Sequence, residues 1–342
     1  MKLDLTSTLE QFALLEREWN ALLPHNAVNE IFLTWEWQWT WWNAYLPGDL
    51  WILSARDDAG DLIGIAPWFV EQPTRVVRTI GCVEVTDYLD VLVRPEYRQA
   101  FFTALADFAA DHADAFDRMV LCNIPGMLPV LEILPPLLTE RGFSVTVNQE
   151  EVCPVIELPG DFEAYLGGLD KKQRHELRRK LRKAEGSESE KVDWYIVGPE
   201  HDLSAEIEKF LGLMATSHPR KAHFLQDPKN VAFFRAMIPR VALCGWLFLT
   251  FLTVDGVPAA AYLSFDYNNR LLVYNSGLLP DGYAHLSPGI VLLTYNIRYA
   301  IEQGRTAVDF LRGNEEYKYR MGGRDHPVMK LEAFPPQEAQ PA

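Results

Sequence analysis

With 342 residues, 48% of them hydrophobic, the chain can bury a core large enough to need no covalent staples, and its length leaves room for about two domains. A formal net charge of −15 argues against a protein whose main surface meets nucleic acid or anionic lipid. The four cysteines, Cys82, Cys122, Cys153 and Cys244, stand far apart without C-x-x-C or Cys/His ligand spacing, so free buried thiols and no metal site are expected.

The N-terminus MKLDLTSTLEQF carries acids where a signal peptide would carry bases and has no apolar run, which predicts a cytoplasmic protein. Residues 8–22 place Leu9, Phe12, Leu15, Trp19 and Leu22 on one helical face. A second helix opens at Thr34 and carries Trp35, Trp37, Trp39, Trp41 and Trp42. Its aromatics lie on several faces, to be covered by core or to wall a substrate cleft. Strands over 51–55 and 62–70 meet across the turn Asp58-Ala59-Gly60-Asp61, and strand signals recur at 76–80 and 88–93. A helix over 95–112, a strand over 118–122, a helix over 128–141 and strands over 143–147 and 152–158 complete the first half.

The second half opens with a short helix over 162–169 and a basic one over 170–185, where eight Lys or Arg face three acids. Then follow a strand (192–197), helices (202–217 and 228–243) and strands (246–254, 258–265 and 271–276). The hairpin WILSARDDAGDLIGIAPW matches WLFLTFLTVDGVPAAAYL in pattern, and FDRMVLCNIP sits where RTAVDFLRGN does, so one α/β unit occurs twice at a period of about 190 residues. The expected domains are 1–155 and 156–334, with a tail over 335–342.

The stretch SPGIVLLTYNIRYAIEQGRTAVDFLRGNEEYKYRMGG organises the second half. Ser287 suits the N-cap and Pro288 the first helical position; Ile290, Leu293, Ile297 and Ala300 recur at helical spacing until Gly304. The first turn of a helix has unpaired N–H groups at a positive dipole end, and Gly289 would let a diphosphate approach them; a plain cap reads the same way. A short strand over 306–310 leads to Asp309, Arg312, Glu315, Tyr317 and Lys318.

The motifs FLTWEWQW, TDYLDVLV, KKQRHELRRKLRK and above all SPG followed by DFLRGNEEYK carry a family resemblance over most of the chain. The sequence resembles the tandem GNAT-type acyltransferases labelled CelD-like, which belong to cellulose and exopolysaccharide synthesis. More distantly it is similar to the Fem-type aminoacyl transferases that build peptidoglycan bridges. The resemblance implies an α/β fold of two GNAT-like units, each a mixed, mainly antiparallel sheet flanked by helices. It implies acyl-CoA as cosubstrate, with the thioester arm entering a splay between strands 271–276 and 306–310 and the pyrophosphate meeting Ser287, Gly289 and Ile290 at the helix start. The acceptor would be the amine of an amino sugar or another polysaccharide or envelope precursor. The alternatives are an aminoacyl-tRNA-dependent transferase and a non-catalytic accessory protein. The longer Arg/Gln-x-x-Gly-x-Gly/Ala phosphate loop of single-domain GNAT enzymes is not found here.

Acyl transfer to an amine needs a base, oxyanion donors and a proton for the leaving thiolate. Asp309 and Glu315 are candidate bases, although Asp309 could instead cap the turn at Arg312-Gly313. Backbone donors are expected around Asn275 and Ser276; the resemblance implies that Tyr317 protonates the thiolate, and a packing role for Tyr317 or Tyr319 is the alternative. Lys171, Arg174, Arg178 and Arg182 flank the apolar stripe of the basic helix and could hold phosphates or form a solvated face. Asp87, Tyr88 and Asp90 could bind the acceptor amine or turn the chain, with Arg312 and Lys318 as further substrate contacts. No membrane span is expected and nucleic acid is disfavoured; the oligomeric state is not legible.

Overall fold

The computed structural model describes residues 1–82, 85–187, 189–280 and 282–336, so most of the tail expected over 335–342 lies outside the described residues. The chain forms two compact units, Met1–Glu151 joined by the segment from His326 onward, and Val152–Asp325.

In the first unit β1 (Asp4–Thr6) is followed by α1 (Leu9–Leu14) and α2 (Glu16–Leu22), where one helix was expected. Thr34 caps α3 (Trp35–Tyr45) by accepting the Trp37 N–H. Most of the tryptophans are core: Trp37 is buried and donates to Thr86, and Trp35 stacks on Trp39 at 5.0 Å. β2 (Gly48–Arg56), β3 (Leu62–Glu71), β4 (Val76–Thr79), β5 (Leu92–Val93), α4 (Arg98–Asp111), β6 (Arg118–Pro125), α5 (Val130–Glu140) and β7 (Ser144–Glu157) follow. β7 runs without a break where two strands were expected, and from Val152 it counts with the second unit. Pairing is antiparallel from β1 through β4, and β4 and β6 are parallel. That parallel pair brings Cys82 and Cys122 together as a bonded pair, with Cα atoms 5.8 Å apart. Four thiols were expected; Cys153 and Cys244 stay outside the disulfide, and the other two were missed because a 40-residue separation does not reveal a parallel pairing.

The second unit contains α6 (Phe162–Gly168), α7 (Lys171–Glu185), β8 (Val192–Ile196), α8 (Leu203–Ser217), α9 (Pro219–Phe224), α10 (Pro228–Leu243), β9 (Leu247–Val254), β10 (Val257–Tyr267), β11 (Arg270–Leu278), α11 (Pro288–Glu302), β12 (Ala307–Asp309) and α12 (Glu316–Arg320). β8, β9, β10 and β11 pair antiparallel, β11 and β12 are parallel, and β12 pairs antiparallel with residues 155–157 of β7. Each unit is therefore a mixed, mainly antiparallel sheet with one parallel pair joined through a helix, as the resemblance implied. α6, α7 and α11 cover one face through Leu177, Leu181, Val291, Leu292 and Ile297, packed with Leu271 and Val273. α8 covers the other face, where Gly277 lies against Leu213 and Met214.

The last strand, β13 (Arg324–Phe334), pairs with β6, so residues 326–334 fold with the first unit although the sequence placed them with the second. A register shift between Met329 and Leu331 breaks the two-residue alternation that would have marked it as a strand.

Candidate functional site

The site grows from a mismatch in strand length. β12 meets β11 only from Arg270↔Ala307 to Leu272↔Asp309, whereas β11 runs on to Leu278 and stays paired with β10 through Ala260↔Leu278. Beyond Leu272 the ladder between the two parallel strands ends, leaving a gap in the sheet's hydrogen bonding along the edge of β11. In the first unit β4 ends at Thr79, one residue past its last pairing with β6 at Arg78↔Val120, and leaves no such edge.

Ser276 opposes Tyr262 and turns both backbone polar groups toward the gap. Its N–H donates to Asn275 Oδ1 at 2.8 Å. Its carbonyl accepts from Lys221 Nζ at 2.5 Å, and its Oγ lies 3.2 Å from the same nitrogen. The backbone donor expected at Ser276 is thus occupied by a neighbouring side chain, and a lysine that the sequence did not single out reaches the same edge from α9. Burial pulls the Lys221 ammonium down to about 8, against the Glu315 carboxylate, which favours the charged form.

The start of α11 borders the gap. Asp161, Asp170, Asp202 and Asp227 cap α6, α7, α8 and α10 with their side chains, but α11 has no side-chain cap. Ser287 was expected to cap it; it is held in the left-handed region at φ 53° instead. Pro288 has no N–H, so the amides of Gly289 and Ile290 are the outward donors of the first turn. Gly289 also answers to packing, since a Cβ there would stand 2.7 Å from Leu278 Cδ2. A larger residue would force the Leu278 side chain to move, at a cost of about 1–3 kcal/mol.

Ile290 and Tyr317 share a cavity of about 160 Å³ with Gln173, Glu176, Leu177 and Lys180 of α7 and with Arg320. Glu176 is neutralised there by Arg179 and Lys180, at 2.7 and 3.7 Å. The flank of α7 that faces the cavity is therefore not the expected one. Arg178 pairs with Glu163 at 2.6 Å and Arg174 donates to the Gly167 carbonyl, so both are turned to α6. The spacing 173, 176, 177, 180 was the signal available in the sequence.

Of the expected catalytic trio, Asp309 is fully buried. Its Oδ1 accepts the Leu311 N–H at 2.8 Å and its Oδ2 lies 3.5 Å from Arg270 Nη1. It holds the turn in which Leu311 has φ 55°, the capping role that was the alternative reading. Lys318 is also corrected: only 2% of its surface is exposed, and Nζ donates to the carbonyls of Leu311, Arg312 and Gly313 at 3.2, 2.7 and 3.1 Å. It braces the loop instead of facing a substrate, and Arg312 is one of the residues it braces.

Glu315 keeps an exposed side chain, 2.9 Å from Lys318 Nζ. Tyr317 stands edge-on to Phe310 at 6.1 Å, and burial, with the nearby Glu315 charge, raises its phenol so that it stays protonated. Buried Tyr262 is likewise raised, first by desolvation and then by Tyr317. Glu315 acts electrostatically on both Lys221 and Tyr317, so the carboxylate lies within electrostatic reach of both the ammonium and the phenol.

Asp87, Tyr88 and Asp90 lie in the core of the first unit, 8%, 5% and 6% exposed. Asp90 accepts from Asn26 Nδ2 at 2.9 Å, and burial pushes its carboxyl from 3.8 up to about 7. A carboxyl raised on folding contributes stability that is complete below about pH 4 and is lost as pH rises through about 7. Asp90→Asn is therefore expected to unfold at higher urea than the parent at pH 8.5, by on the order of 3 kcal/mol, and to lose most of that advantage at pH 4. Equal urea midpoints at pH 8.5 would refute this.

The family described as an acetyltransferase (GNAT) domain matches residues 171–319, from the start of α7 into α12, and so spans every element of this site. No curated protein matches the chain. Among solved structures, the crystal structure of FemX superposes at TM-score 0.65 and 10% identity, over 97% of each chain. A conserved protein of unknown function from Bacteroides thetaiotaomicron gives 0.62 at 12% identity, over 97% of this chain and 100% of that one. A tandem GNAT protein from the clavulanic acid biosynthesis pathway gives 0.50 at 10% identity, over 99% and 100%. At such identities the likeness is one of fold, and the fold is that of the tandem GNAT proteins. The domain match supports acyl transfer in the broad sense.

Proposed function

Starting from a chain of the tandem GNAT type, we propose that its second unit moves an acyl group from acyl-CoA to an amine. The observation that carries this is the run of β11 beyond β12 beside a helix start without a side-chain cap. The open edge suits an extended arm with amide groups, and the Gly289 and Ile290 amides suit a diphosphate, with Lys180 and Arg320 adding positive charge. Acyl-CoA supplies the activated carbonyl. Glu315 takes the proton of the attacking amine and Tyr317 protonates the departing sulfur, and the products are an amide and a thiol. No group of three or more His, Cys, Asp or Glu among the described residues is arranged to hold a metal ion.

The acceptor proposed is an amino sugar or a similar envelope precursor, in line with the CelD-like motifs, and the setting proposed is the cytoplasm. Among the described residues no helix is long and apolar enough to cross a membrane. A second reading, transfer from aminoacyl-tRNA, is favoured by the exposed Lys171, Lys172, Arg179 and Lys183 on α7. Calorimetry separates the two. Lys180→Met is expected to weaken coenzyme A binding roughly 5- to 20-fold, as loss of a charge-assisted contact would. Unchanged affinity would remove the donor from this cavity, and tight, steeply salt-dependent tRNA binding would favour the second reading.

A further inference from the structure

We propose that Lys221 is the oxyanion donor of this site: its ammonium, held in the gap between β11 and β12 on the Ser276 carbonyl, binds the thioester oxygen as that oxygen becomes negative. The proposal rests on the acyl-CoA reading above. Three facts of geometry lead to it. Acyl transfer needs a donor aimed at the new charge, and the backbone N–H best placed for it, that of Ser276, is spent on Asn275 Oδ1. Lys221 Nζ stands at the same edge, 2.5 Å from the Ser276 carbonyl and 3.2 Å from its hydroxyl. Among the described residues its hydrogen-bond partners are these neutral oxygens, and the carboxylate that acts on it electrostatically, Glu315, is itself paired with Lys318 at 2.9 Å.

A half-buried ammonium whose hydrogen-bond partners among the described residues are neutral oxygens is short of counter-charge. In the ground state the thioester carbonyl offers one more neutral acceptor. When the amine lone pair forms the N–C bond, the π pair of the carbonyl moves onto oxygen and provides the missing charge. The gain is therefore greater in the transition state than in the bound substrate, which is the condition for catalysis. When the π bond re-forms, the C–S bond breaks and its electron pair leaves on sulfur, which takes the Tyr317 proton. The amine proton goes to Glu315, so charge and protons balance. Burial lowers the Lys221 value to about 8, so the donor is still largely charged at neutral pH and gives up its proton readily above it.

The test needs no knowledge of the acceptor. Coenzyme A and its trifluoroacetonyl thioether, a ketone whose hydrate presents a tetrahedral carbon with an acidic oxygen, are titrated by calorimetry into the full chain and its Lys221→Met and Lys221→Arg variants. The unaltered protein is expected to bind the ketone at least 10-fold more tightly than coenzyme A. Lys221→Met should keep coenzyme A affinity within about twofold while losing that preference, and Lys221→Arg should retain part of it. A preference that survives Lys221→Met overturns the proposal and leaves the acyl-CoA reading standing. Equal loss of both affinities in a variant that melts like the parent also overturns it, because Lys221 would then grip the donor and not the oxyanion. If the unaltered protein binds neither compound, both readings fall.

Discussion

Glu315→Gln should lower kcat for acyl transfer by roughly 10²- to 10⁴-fold and abolish the acidic limb of the pH–rate profile, because an alkylammonium near ~10 cannot attack until its protons are taken. The exchange conserves shape. Glu315 is largely exposed and Lys318 keeps its three carbonyl partners, so thermal unfolding should change little. Thiol release from acetyl-CoA at saturating amine, followed from pH 5 to 9, reads the effect. A parental rate with an intact acidic limb would move the base elsewhere. Asp309 would be a poor substitute, because both its oxygens are already engaged inside the fold.

The largest stability effect is expected at Lys318. Its ammonium satisfies three consecutive carbonyls of a loop in which Leu311 and Gly313 adopt positive φ, and no water-filled alternative is available to a side chain 2% exposed. Lys318→Met preserves the volume but leaves those carbonyls without a donor, at a cost of about 3 kcal/mol. Urea denaturation should show the midpoint falling while the slope stays constant. Since the same loop sets Glu315 and Tyr317, activity should fall with stability. A variant as stable as the parent would mean that the loop carbonyls find other donors.

The sequence carried the architecture well because its signals are local. The Asp58–Asp61 turn, the Thr34 cap, the apolar spacing of Ile290, Leu293 and Ile297, and the matching hairpins each reflect the physics of one element, and the tandem fold followed. Misses fell where pairing partners are distant. β13 was invisible because its bulge spoils alternation, β7 was divided at its polar middle, and the Cys82–Cys122 pair depends on a parallel register that spacing does not encode.

Site chemistry was harder to read for a related reason. Asp309 and Lys318 look like reagents in a polar string, but one caps a turn and the other fills it, and only the loop geometry separates a structural charge from a reactive one. Lys221 had no motif at all. It sits 55 residues from Ser276 in sequence, on a six-residue helix that starts at Pro219, and becomes chemically notable only because β11 outruns β12.

Native mass spectrometry of the full chain with added coenzyme A tests the central claim most directly. A donor site built from the β11 edge and the α11 start requires a one-to-one complex at micromolar ligand that weakens when Lys180 or Arg320 is neutralised. An unshifted mass across that range, from protein that unfolds cooperatively and is therefore folded, would contradict it.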